Sequence, residues 1–163
     1  MKTLRIKSEV NGEMKHFDIE NFDVVKANQL YDHKYSLSLY EEIKKGFTHF
    51  ANGDIGVAKI TPCFQNRKSV IFKDLPNGYG AGTTELSIVR TISDTMSNEY
   101  LLWFFKTHHF IINGVKTFSG TAGQQRIHKD YLSHSLIPLP PLAEQKRIVA
   151  EIEEMLPLCE KLK

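Results

Sequence analysis

The run Leu136-Ile137-Pro138-Leu139-Pro140-Pro141-Leu142 constrains this chain more than any other stretch. Its prolines fix φ and push the residues before them toward extended backbone, so the run is a stiff apolar exit from whatever precedes it. Ala143-Glu144-Gln145-Lys146-Arg147-Ile148-Val149 then opens a helix. Upstream, Phe118-Ser119-Gly120-Thr121-Ala122-Gly123-Gln124-Gln125-Arg126-Ile127 is a glycine-rich polar loop rich in hydrogen-bonding side chains. Loop, rigid joint and helix in that order describe a head carried on a stalk.

The helix has a seam. Ile148, Ile152, Met155, Cys159 and Leu162 recur at spacings of four, three, four and three, which is a heptad pattern, and Val149 and Leu156 widen it. Carried to the end of the sequence the helix covers about 32 Å at 1.5 Å per residue. It is too exposed to be stable alone and calls for a partner helix. Pro157 removes one backbone hydrogen bond and should kink it near Glu153.

A chain of 163 residues is one domain by length, with room for an appendage. The net charge of +2 does not argue for a nucleic-acid partner, but its distribution does. From Ile55 to Lys73 there are four basic residues (Lys59, Arg67, Lys68, Lys73) and no acid; from Tyr100 to Lys129 there are four more (Lys106, Lys116, Arg126, Lys129) and again no acid. Two such tracts on a nearly neutral chain imply a positive face that attracts phosphate, set against the plainer reading of ordinary solvated surface. Cys63 and Cys159 match no metal spacing, and with no signal peptide they read as reduced thiols in a cytoplasmic protein. No apolar run reaches the roughly 20 residues that span a bilayer.

The local patterns give a β-rich body. Leu4-Arg5-Ile6, a turn at Asn11-Gly12, a return through His16-Phe17-Asp18-Ile19, and Asp23-Val24-Val25-Lys26-Ala27 are candidate strands. Residues 35–45 fit either a short helix or an irregular excursion. A turn at Asn52-Gly53-Asp54 leads into Ile55-Gly56-Val57-Ala58-Lys59-Ile60-Thr61, a buried strand ended by Pro62. Ser69-Val70-Ile71-Phe72 returns as its partner. The hairpin tip between them carries two cations, an amide pair and an aromatic ring.

The three glycines of Gly78-Tyr79-Gly80-Ala81-Gly82 do not lead into a helix, which argues against a phosphate-cradling loop; they allow a tight turn beside another strand or a groove. Thr83 to Arg90 is the strand that follows. Ser97 caps a helix over Asn98–Lys106, with Tyr100, Leu101, Phe104 and Phe105 on one core face, and a second helix through Phe110-Ile111-Ile112-Asn113 stops at Gly114. The fold class is α+β: a β-rich globular domain with a few short helices over residues 1–137, then a proline hinge and a coiled-coil-type helix over 138–163.

Catalytic chemistry has little to hold. No Gly-x-Ser-x-Gly, His-Glu-x-x-His or Gly-x-x-x-x-Gly-Lys motif occurs, nor the Asn/Asp-Pro-Pro-aromatic motif of base methylation. Glu42-Ile43-Lys44 has only Asp32 as a near acidic companion, which is thin for a nuclease, and the seven histidines are scattered. The chain reads as a non-enzyme with no metal or cofactor.

Four pieces in order resemble a known family: Gly53-Asp54-Ile55 through Ala58-Lys59-Ile60-Thr61-Pro62-Cys63-Phe64-Gln65-Asn66-Arg67-Lys68; Gly82-Thr83-Thr84-Glu85-Leu86; Gly120-Thr121-Ala122-Gly123-Gln124-Gln125-Arg126; and Pro138-Leu139-Pro140-Pro141-Leu142-Ala143-Glu144-Gln145 followed by Arg147-Ile148-Val149. From about Gly46 onward the chain resembles one target-recognition domain of the DNA-specificity subunit of type I restriction–modification systems. Residues 1–45 match loosely. Members of that family carry two such domains on long helices; each domain reads half of a bipartite double-stranded DNA target. The helices set the spacing and hold methyltransferase subunits, which bind S-adenosylmethionine, and a restriction–translocase subunit completes the complex. The resemblance implies that the cofactor sits on the partner, not on this chain. With one domain and one helix, the chain is a half-subunit or a fragment, and a half-subunit would pair with itself through the seam to read a symmetric target.

For such a reader, amides suit adenine and guanidinium suits guanine. That makes Asn66, Arg67, Gln124, Gln125 and Arg126 candidate base contacts, with Gln65, Ser119 and Thr121 beside them as DNA-binding residues, and Lys59, Lys68 and Lys116 candidates for phosphate. Two roles stand open for Gln124, Gln125 and Arg126, since framework residues would instead tie the loop to the body. Ile148, Ile152, Met155, Cys159 and Leu162 form the partner or dimer face. Four readings compete: a DNA reader without catalysis of its own, an assembly module whose head is inert, a DNA-binding domain of another modification enzyme, and a small enzyme with an unrecognised site, against which the missing motifs count.

Overall fold

Strand β4 (Ile55–Ala58) runs through the middle of the molecule, and all four of its residues are buried. The computed structural model describes residues 13–17, 35–75, 78–92 and 94–161. β4 pairs antiparallel with β5 (Ser69–Ile71) and with β7 (Leu86–Val89), so the sheet order is β5-β4-β7. The expected hairpin is present, with Ile55 opposite Ile71 and Gly56 opposite Val70. Alternation then divides the side chains between two faces. Ile55, Val57 and Ile71 join one core cluster; Ala58 and Val70 join another.

The second cluster faces a four-stranded sheet of order β2-β1-β6-β3, built from β1 (Glu13–Phe17), β2 (Tyr35–Leu39), β3 (Thr48–Ala51) and β6 (Tyr79–Gly82). β6 runs parallel to β1 and antiparallel to β3. The two sheets meet at Phe50 and Phe72, whose rings stack with centroids 3.7 Å apart and planes 9° from parallel. Each ring lies on a glycine. A Cβ at Gly80 would come within 2.3 Å of Phe50, and one at Gly56 within 2.7 Å of Phe72. This corrects one expectation: Gly80 and Gly82 lie in a strand, and Gly80 is bare because the Phe50 ring covers it, while Gly78 precedes the strand with φ 76°. The strand expected from Thr83 is shorter, since a turn occupies Thr84 and Glu85 before β7 begins.

On the other face of β4 lie α2 (Asn98–Lys106) and α3 (His108–Val115). Ser97 caps α2 as expected, its Oγ accepting from the Tyr100 N–H at 3.3 Å. The face α2 buries is Leu101, Leu102 and Phe105; Tyr100 and Phe104 are only partly covered. Gly114 does not end its helix. It is a contact point, where a Cβ would lie 2.3 Å from the Phe64 ring.

Residues 35–45 resolve into β2 and a single turn, α1 (Tyr40–Ile43). β1 includes His16 and Phe17 of the expected return strand. The strands proposed at Leu4–Ile6 and Asp23–Ala27, and the turn at Asn11-Gly12, lie outside the described residues. A short α4 (Tyr131–His134) precedes the proline run. The last element, α5 (Leu142–Glu160), passes through Pro157 and continues for three residues beyond it. Sheets and helices are largely segregated along the chain, and the fold is α+β.

The seam of α5 divides in two. Val149 is buried, and Ile148 and Ile152 line a groove of about 360 Å³ with Tyr100, Trp103, Phe104 and Pro138. Met155, Leu158 and Cys159 are exposed. The first half of the seam therefore faces the chain's own α2, and only the second half projects. Leu162 lies outside the described residues.

Candidate nucleic-acid interface

The hairpin tip is a compact turn. The amides of Phe64, Asn66 and Lys68 donate to the carbonyls of Ile60, Pro62 and Cys63 at 2.9, 2.9 and 3.0 Å. Its aromatic ring points inward. Phe64 is 1% exposed and its ring meets those of Phe110 and Phe118, each with centroids 5.8 Å away, so it anchors the tip instead of presenting to a ligand. Arg67 takes a left-handed backbone with φ 57°, uncommon for a residue with a side chain. Its carbonyl accepts from Lys106 Nζ at 3.2 Å and from Ser69 Oγ at 3.4 Å.

Lys106 was legible only as a charge in the sequence, yet it is 4% exposed. Burial, with the nearby Arg67 charge adding to it, lowers its pKa to about 8. Its position is four residues after the buried Leu102, and that phase was the available sign that it points into the body.

The polar loop folds back on itself. Ser119 and Arg126 exchange two backbone hydrogen bonds of 2.9 Å, and Gly120 and Gly123 supply the left-handed turns at φ 113° and 83°. The loop is stitched to the hairpin: the Thr61 N–H donates to the Gln125 carbonyl at 2.8 Å and the Ile127 N–H to the Lys59 carbonyl at 3.1 Å. The Lys59 N–H donates in turn to the Glu85 carbonyl at 2.8 Å. Residues 59–68, 83–85 and 119–127, remote in sequence, thus share one surface.

On that surface Gln65, Asn66, Ser119, Thr121 and Gln124 are exposed, while Lys59, Arg67, Lys68, Gln125 and Arg126 are half-buried. Gln65 Oε1 accepts from the Thr61 hydroxyl. Arg126 is committed to a carboxylate. Its Nε and Nη2 donate to Glu85 at 2.8 and 2.6 Å, and its Nη1 donates to the Gln124 carbonyl at 3.0 Å. Of the two roles open to Arg126, this geometry is the framework one. The bidentate bond from Arg126 holds the Glu85 carboxyl below the ordinary carboxylate range, with Lys59 adding a smaller pull. Glu85 is the only acid in these three segments, and it is already paired. Lys116 stands apart at the end of α3, exposed, with its ammonium on Asn113 Oδ1 at 3.0 Å.

What remains outward is amide, hydroxyl and cationic chemistry on a rigid frame, the set that contacts phosphates and base edges. Among the described residues no group of three or more histidine, cysteine or acidic side chains could hold a metal, and no helix is long and apolar enough to cross a membrane.

Comparison with known proteins shows the family and the fold. Residues 9–157 match the family model described as the type I restriction modification DNA specificity domain. The chain is 45% identical over 130 residues to the type I restriction enzyme EcoAI specificity subunit of Escherichia coli, covering 80% of this chain and 22% of that one. It is 39% identical over 160 residues to the EcoEI specificity subunit of the same organism, covering 98% and 27%. The chain therefore spans about a quarter of the length of these curated relatives. Among solved structures it is similar to the HsdS subunit from Thermoanaerobacter tengcongensis, with TM-score 0.70 and 21% identity over 93% of this chain and 37% of that one. A chain from a structure titled for complex assembly and conformational transition of the type I R-M system gives 0.69 and 22% over the same shares. At such identities these two likenesses are of fold alone.

Proposed function

The chain belongs to the type I restriction–modification DNA specificity family, and from that premise we propose that its head reads double-stranded DNA by sequence and that α5 docks a methyltransferase subunit. One observation carries the reading. The hairpin tip and the polar loop, joined by the Thr61–Gln125 backbone bond, form a single rigid surface of cations and amides whose one carboxylate is neutralised by Arg126.

On this reading lysines and arginines at the groove edge release counterions, so affinity falls steeply with salt. Lys59, Lys68 and Lys116 hold phosphate. Gln65, Asn66, Arg67 and Gln124 reach base edges, each bidentate pair worth roughly 1–3 kcal/mol of discrimination. Ser119, Thr121 and Gln125 line the same surface. The chain performs no catalysis; S-adenosylmethionine is bound and adenine methylated by the partner, and a restriction–translocase subunit joins for cleavage. Residues 138–163 form the hinge and spacer unit, and the assembly works in the cytoplasm.

A second reading has its own support in the exposed Met155, Leu158 and Cys159 of α5. Two copies pairing there would place two heads about a two-fold axis and read a symmetric target. A pure assembly module would use the same helix with an inert head.

The test is a mobility shift at low salt, with and without a methyltransferase subunit, comparing the unaltered chain with the double variant Arg67→Ala, Lys68→Ala. The expected result is weaker binding by a variant that stays folded. Equal affinity in a folded double variant removes the hairpin from the interface. Binding that appears for neither protein, with or without the subunit, leaves the assembly reading.

A further inference from the structure

Gln145 is fully buried at the foot of α5, a polar side chain among core residues. Both N–H donors of its amide and one lone pair of its oxygen are used. Oε1 accepts from the Ser97 N–H at 2.8 Å, and Nε2 donates to the carbonyls of Thr95 and Pro140 at 3.0 and 2.9 Å. One N–H and two carbonyls demand one acceptor and two donors, which a glutamine amide supplies and neither a carboxylate nor an aliphatic group does. The three partners belong to different parts of the molecule. Thr95 and Ser97 lie in the approach to α2, where Ser97 is its cap, and Pro140 lies in the proline run. The same joint carries a bond from the Tyr100 hydroxyl to the Pro138 carbonyl at 3.1 Å.

We propose that Gln145 is the positioning residue that sets the angle between the head and α5, and so the register at which a head reads DNA relative to whatever α5 binds. The register part rests on the recognition reading above; the angular part does not. Beyond Ile152 the helix has few buried residues, so its direction is decided near its foot. From Gln145 to Glu160 the helix extends roughly 22 Å at 1.5 Å per residue. A tilt of about 10° at the foot moves the far end by about 4 Å, more than the ~3.4 Å rise of one base pair. A small loosening at one buried amide therefore becomes an error of a whole base step. Burial of a fully satisfied polar network specifies a single arrangement where apolar packing alone would tolerate several.

The angle is read by electron–electron distance measurement between nitroxide labels. One label occupies the native exposed Cys159 and the other a Thr84→Cys substitution on the head. A control pair within the head uses Thr84→Cys and Lys129→Cys in a Cys159→Ser background. The expected result for Gln145→Met is a helix-to-head distribution that broadens or shifts by about 4 Å, with the control pair unmoved. Gln145→Glu provides a second arm that does not depend on the first variant folding. Its carboxylate faces two carbonyls at pH 8, and a proton near pH 5 restores one donated bond, so its distribution should narrow on acidification. Lower thermal stability with an unchanged distance distribution would overturn the proposal, because Gln145 would then be a core residue only. Low-salt affinity of the unaltered chain for a mixed-sequence duplex is measured alongside. No binding there overturns the recognition reading instead, and the distances still judge the joint by themselves.

Discussion

Lys106 Nζ donates to the Arg67 carbonyl across 3.2 Å and 39 residues of sequence. A charge sunk in α2 thereby holds the backbone of the hairpin tip from below, at a half-buried Arg67 whose own backbone is left-handed. The tip is also fixed by Phe64 in the core. Recognition surfaces benefit from this, since order imposed before binding is not lost on binding.

That buried ammonium predicts an unusual pH dependence. Burial lowers the folded pKa of Lys106 to about 8 from an ordinary 10.5. Between those values the unfolded chain binds more protons than the native one, so Lys106 makes stability rise with pH across that window. Below pH 8 the full cost is present, on the order of 3 kcal/mol. Urea unfolding at several pH values should show this rise in the unaltered chain and a flatter profile in Lys106→Met.

Arg67 offers a separation of binding from folding. Glycine takes φ near 57° freely, so Arg67→Gly should leave stability unchanged or raise it by up to about 1 kcal/mol. The same variant loses a guanidinium from the proposed surface. Its DNA affinity should fall and its specificity relax at the base pair Arg67 contacts. Denaturation and anisotropy titrations on one preparation check both.

Arg126 and Gln124 are neighbours in the loop with opposite expected behaviour. Arg126→Ala strips Glu85 of its bidentate partner and should lower stability slightly, since solvent screens a pair in which both groups are partly exposed. Because the folded Glu85 pKa is lowered, this contribution is complete above the ordinary value of 4.5 and disappears as pH falls below it. Arg126→Ala should weaken binding to all DNA sequences alike. Gln124→Ala should change stability by less than about 0.5 kcal/mol yet alter the ranking of sequences in a binding selection.

How far the sequence could be read depends on the range of the interactions involved. The hairpin of β4 and β5 was legible because alternation, a turn and a proline are all local. So was the Ser97 cap. β6 was not, because Gly80 is bare on account of Phe50, thirty residues earlier, and glycine composition alone resembles a loop. Gly114 misled for the same reason, its Cβ space being taken by Phe64. Arg126 stood between two roles until Glu85 was found beside it, 41 residues away. Gln145 shared the four-three-four phase of Val149, Ile152 and Leu156, which placed it on a packed face, but its partners lie 48 and 50 residues upstream. The family motifs marked the segments; three-dimensional contact showed which of their side chains brace the frame.

The central claim is that one surface, made by the hairpin tip and the polar loop, meets DNA. Backbone amide shifts recorded while a duplex is titrated at low salt test it residue by residue. The account predicts the largest changes at Lys59, at 65–68 and at 119–126, with little change along 153–161. Changes concentrated elsewhere on the head, with residues 65–68 and 119–126 unperturbed in a chain that binds, would contradict it.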